Sequence, residues 1–63
     1  MIFNYDPEMD ALYIRLNEAR IIESEEVQPG IILDFDESGN VAGVEVLDAS
    51  KRNTKPVPIK QAA

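Results

Sequence analysis

Residues 30–47 read GIILDFDESGNVAGVEVL, and the fold turns on how this stretch is interpreted. Ile31, Leu33 and Phe35 alternate with Ile32 and Asp34. Asp36-Glu37-Ser38-Gly39-Asn40 supplies turn residues, and Val44 and Val46 alternate around Glu45. A strand sends successive side chains to opposite faces, so a period of two on both sides of a turn specifies a β-hairpin, and β-branched residues suit its pleated flanks. Asp36 is placed to hydrogen-bond its own turn, and Pro29-Gly30 marks where the first strand begins. Ile32 and Leu47 fall on the faces opposite Leu33 and Val46, so burying one side of a small sheet leaves apolar groups on the other. A second sheet, Val57 and Ile59 further along, or another chain would have to cover them.

Toward the N-terminus two periods compete. Asp6-Pro7 has the form of a helix N-cap followed by proline at the first helical position, and Met9, Leu12, Tyr13, Leu16 and Ala19 follow at helical spacing. Leu12, Ile14 and Leu16 also alternate with Tyr13 and Arg15, as Phe3 and Tyr5 do with Asn4, which makes Asp6-Pro7-Glu8-Met9-Asp10 a hairpin loop. Pattern alone leaves residues 7–19 open between helix and hairpin. Arg20-Ile21-Ile22 with Glu23-Ser24-Glu25-Glu26-Val27 reads as a further strand with its acids toward solvent. Beyond Lys51 the alternation stops. Pro56 and Pro58 cannot donate to a ladder, so a flexible basic tail is expected over 53–63, after a β-rich domain over 1–52.

Three segments resemble a family of very small bacterial and archaeal proteins catalogued as domain of unknown function 2283. They are Tyr5-Asp6-Pro7-Glu8 with Asp10-Ala11-Leu12-Tyr13-Ile14-Arg15-Leu16, then Glu25-Glu26-Val27 with Pro29-Gly30-Ile31-Ile32-Leu33-Asp34. The third runs from Asp36-Glu37-Ser38-Gly39-Asn40-Val41 through Gly43-Val44-Glu45-Val46-Leu47-Asp48-Ala49-Ser50-Lys51-Arg52. The likeness covers about residues 2–52. It implies a mainly β fold, a small antiparallel β-meander of about four strands with room for a short helix or turn near the C-terminus, and it favours strands at 11–16. It also implies a gene neighbourhood of small ribonuclease-like toxins, and hence a toxin-neutralising role.

Composition bounds the function. The chain has 63 residues, no Cys and no His, so Ser-His and Cys-His catalysis, disulfides and thiolate or imidazole metal sites are excluded. Gly30, Gly39 and Gly43 spell neither a P-loop nor a dinucleotide fingerprint. Carboxylate catalysis by Asp6, Glu8 and Asp10 is formally open, but acids so placed normally form turns. The spacing Asp34-x-Asp36-x-Ser38-Gly39 with Glu45 matches a calcium loop, yet such a loop needs flanking helices where this sequence alternates as strands. The expectation is therefore a protein that is not an enzyme and holds no cofactor.

Charge is sorted along the chain. Residues 1–50 hold all twelve acids and only Arg15 and Arg20, a net −10, while Lys51, Arg52, Lys55 and Lys60 follow. An acidic body disfavours phosphate, because nucleic-acid affinity comes from Lys and Arg releasing counterions, and it suits a basic protein. Glu23, Glu25 and Glu26, then Asp6, Glu8 and Asp10, are the candidate partner-binding acids. At this length a lone core supplies only about 3–5 kcal/mol, which favours completion by self-association or docking. Two functions are expected to compete: an antitoxin-like module binding a basic ribonuclease-type partner, and a homo-oligomeric structural protein with no dedicated ligand. No signal peptide or membrane-length apolar run is apparent, which suggests the cytoplasm.

Overall fold

The computed structural model describes residues 1–52, so the expected tail at 53–63 lies outside the described residues. Five strands form one antiparallel sheet: β1 (Ile2–Asp6), β2 (Ala11–Arg15), β3 (Ile21–Gln28), β4 (Ile31–Asp36) and β5 (Val41–Val46), followed by a single 3-10 turn at Ala49–Lys51. Residues 7–19 hold a hairpin turn, strand β2 and the start of a connection, so the strand period prevails over the helical one. The short element near the C-terminus is the 3-10 turn. No helix among the described residues is long and apolar enough to cross a membrane.

The strand order is β1-β2-β5-β4-β3. One hairpin, β1–β2, and a meander, β3–β4–β5, account for most of it, but the step from β2 to β3 skips two positions and returns the chain down the far edge. Strands β2 to β5 thus make a Greek key, three hairpin-linked strands closed by a crossover. The expected count is about four; residues 21–28 make the fifth strand, paired with β4 through two shifts of register. The crossover is short and organised from within. Arg15 donates through Nε to the Asn17 carbonyl at 2.7 Å and through Nη2 to that of Ala19, while the Ala19 amide donates to Asn17 Oδ1 at 2.9 Å.

The central hairpin closes as its sequence demands. Asp36 Oδ1 accepts from the amides of Ser38 and Asn40 at 2.9 and 3.0 Å, and the Gly39 amide donates to the Asp36 carbonyl. At the other end of the sheet the residues after β5 clasp two turns together. The Ala49 amide donates to the carbonyl of Asp10 in the β1–β2 turn, and the Leu47 amide donates to that of Gly30 in the β3–β4 turn. Arg52 reaches the carbonyls of Leu47, at 2.7 Å, and Pro29. Its guanidinium lies against Gly30, where the backbone has φ +80 and a Cβ would collide with Arg52 Nη2.

One layer of sheet encloses almost nothing. Ala42, Gly43 and Asp34 are the buried positions among the described residues, and no large side chain there is fully enclosed. In an ordinary domain the apolar face of a sheet lies against another layer, and that second layer is what completes a core.

Candidate interaction surface

The pairing register sorts side chains into rows that run across all five strands. On one face the row Phe3, Ile14, Val44, Leu33, Glu25 lies beside the row Tyr5, Leu12, Val46, Ile31, Gln28. On the other face run Asn4, Tyr13, Glu45, Ile32, Glu26 and Ile2, Arg15, Gly43, Asp34, Ser24. The first face is apolar over four strands, and its only ionised strand residues, Glu23 and Glu25, stand on the outermost strand β3. The second face holds Asp6, Arg15, Glu26, Asp34, Asp36 and Glu45. Phe3 is 65% exposed, and Ile14, Val44 and Leu33 are half-buried.

A polar network spans the charged face. Asp34 is 8% exposed and accepts from Tyr13 Oη at 3.1 Å and Ser24 Oγ at 2.6 Å, which ties β2, β4 and β3 together across β5. Tyr13 crosses β5 at Gly43, where a side chain would block it: a Cβ there would lie 2.7 Å from Tyr13 Oη and 3.0 Å from Asp34 Oδ2. Sequence reasoning missed Tyr13, Ser24 and Gly43. Their signal was a glycine inside an otherwise regular strand, the mark of a close approach by another group.

The acids expected to bind a partner are divided by this geometry. Alternation and a bulge place Glu23 and Glu25 on the apolar face and Glu26 on the other, so they form one exposed edge but not one cluster on a face. Asp6 and Asp10 are engaged locally. Asp6 Oδ1 accepts from the amides of Glu8 and Met9 at 3.0 and 3.3 Å, while Glu8 is exposed. Asp10, at φ 50, accepts from Tyr5 Oη at 2.6 Å, Ser50 Oγ at 2.9 Å and the Ser50 amide at 3.1 Å.

The calcium spacing is put to other uses as well. Asp34 serves Tyr13 and Ser24, Asp36 serves its turn, and Glu45 stands between Tyr13 and Ile32 in the strand register. Among the described residues no three acids converge on one point. Asp34 and Asp36 lie on β4, Ser38 in the turn after it and Glu45 on β5.

The hydrogen bonds about Asp10 shift the acidity of two groups. The hydrogen bond from Tyr5, and then those from Ser50, hold the Asp10 carboxyl below its ordinary value, and the same Tyr5–Asp10 bond, as its largest cause, raises the Tyr5 phenol. A depressed carboxyl contributes stability above the usual Asp range and loses it as pH falls through its folded value. A raised phenol contributes below the usual Tyr range and loses it as pH rises through its own. The melting-temperature difference between wild type and Tyr5→Phe should be constant at neutral pH and shrink below pH about 4 and above pH about 10. A difference independent of pH would show that the bond is not formed in solution.

Neither a curated protein nor a solved structure matches the chain. The family model described as Protein of unknown function (DUF2283) matches residues 2–50, the five strands and the start of the clasp, and the chain belongs to that family.

Proposed function

We propose that this chain is a protein-interaction module that binds rather than catalyses, and that its working surface is the apolar face of the sheet. One observation carries the reading: two rows of large apolar side chains cross four strands with no second layer over them among the described residues. A contiguous apolar patch of that breadth is unusual on a protein that stays alone in water, and marks a contact surface. The ionised residues are concentrated on the opposite face and in the turns, which leaves the apolar one cheap to desolvate.

A second reading is favoured by β3. Its Glu23, Glu25 and Glu26 are all exposed on the edge strand of the described sheet, an arrangement suited to an antitoxin-like grip on a basic ribonuclease-type partner.

Because the chain has no cysteine, single substitutions can report on each surface separately. Val44→Cys and Glu45→Cys sit side by side on the middle strand, both half-buried but on opposite faces. In a native extract of cells making the protein, the thiol at 44 should be alkylated far more slowly than that at 45, and equally fast once urea is added. Equal native rates would reject the apolar face. Protection confined to Glu26→Cys would select the edge-strand reading instead.

A further inference from the structure

We infer that the occupant of the apolar face is a second copy of this chain, packed face to face as the other half of a two-sheet sandwich. This rests on the reading of that face as the working surface and names what covers it.

Three features of the molecule point to a copy of itself. The first is area. Five strands at about 4.8 Å spacing and five or six residues at about 3.3 Å rise mark out roughly 24 by 18 Å. With side-chain relief this is on the order of 650 Å² of accessible surface per copy, or about 1,300 Å² in total, within the range of about 1,200–2,000 Å² for stable specific pairs. Val57 and Ile59, the apolar residues between 53 and 60, are two side chains against rows that cross four strands, too few to cover them.

The second is charge. A protein of net charge −6 repels its own copies unless the contact avoids the charges, and here it does. A two-fold axis parallel to β5 lays β3 of one copy over β1 of the other. Glu23 and Glu25 then face the rim around Phe3 and Tyr5 rather than each other, and the charged faces point outward on both sides. Sheets packed in this aligned way lie about 10 Å apart with their inner side chains interdigitated.

The third is the missing interior. With Ala42 the one buried apolar side chain among the described residues, the apolar rows become a core only when something faces them. A second copy is the one partner always present wherever the chain itself is made, and an isologous contact needs no surface beyond the one described.

The test uses the purified full-length chain. Light scattering should give twice the 7.0 kDa chain mass, and the melting temperature should climb with protein concentration, as it does when folding and association are linked. The thiol of Val44→Cys should be alkylated about an order of magnitude more slowly than that of Glu45→Cys, with the gap closing as dilution separates the copies. A monomer whose thiol at 44 reacts freely would overturn the second copy as occupant. The reading of the face itself would survive only if that thiol is still protected in cell extract, and would fall if it is not. A monomer with a protected thiol at 44 would overturn both, since the chain would then be covering its own face. A dimer in which position 44 reacts as fast as 45 would place the contact at a strand edge and overturn the sandwich.

Discussion

Gly43→Val is expected to abolish the folded sheet, and Gly43→Ala to cost about 1–3 kcal/mol, the usual penalty for forcing atoms into a filled site. The site is filled by a neighbour's hydroxyl. A Cβ at 43 would meet Tyr13 Oη at 2.7 Å, Asp34 Oδ2 at 3.0 Å and Tyr13 Cζ at 3.2 Å. Tyr13 yields by moving its hydroxyl off β5, which strains its 3.1 Å bond to Asp34 Oδ2. Thermal denaturation of Gly43→Ala with and without Tyr13→Phe separates clash from backbone effects, because removing the hydroxyl takes away the nearest atom. The double variant should recover part of the loss, while a Gly43→Ala protein as stable as wild type would mean that Tyr13 does not cross the strand there.

Asp34→Ala should be nearly as damaging. Two hydroxyls, Ser24 Oγ and Tyr13 Oη, lose the acceptor they share, and the bonds lost are to a charged group that is almost fully buried. Such bonds are worth about 1.5–3 kcal/mol each, so losing two should remove about 3 kcal/mol or more in a urea titration. Ser24→Ala, which removes one donor and leaves Asp34 its bond from Tyr13, should cost about half as much, about 1.5–3 kcal/mol. In the Asp34→Ala background Ser24→Ala should cost almost nothing. If the two losses simply added, the hydroxyl and the carboxylate would not be partners.

The hairpin at 31–46 was legible because two independent signals agreed: alternation on both flanks and a turn able to bond itself through Asp36. Residues 7–19 were not, because Met9, Leu12, Tyr13 and Leu16 fit a helix as well as Leu12, Ile14 and Leu16 fit a strand. The choice is made elsewhere, by pairing with β1 and with β5, and the latter partner lies some thirty residues away. The same distance hid the strand order, since nothing local in Arg15 or Val46 states that their strands adjoin. Ser50 as a partner of Asp10, forty residues apart, was equally out of reach. The division of Glu25 from Glu26 was within reach, because neighbouring strand residues cannot share a face. The apolar face was half legible: alternation announced it, but its extent over four strands depends on the Greek-key order that brings β2 against β5.

That order has a consequence for synthesis. The middle strand of the sheet, β5, is the last of the five to leave the ribosome. Until it emerges, β1–β2 and β3–β4 are separate two-stranded ribbons, and an isolated ribbon of that kind is marginal in water. The nascent chain therefore has no native half to settle into early. Assembly waits for residues 41–52, which bring in a single step both the strand that joins the ribbons and the clasp that locks their turns.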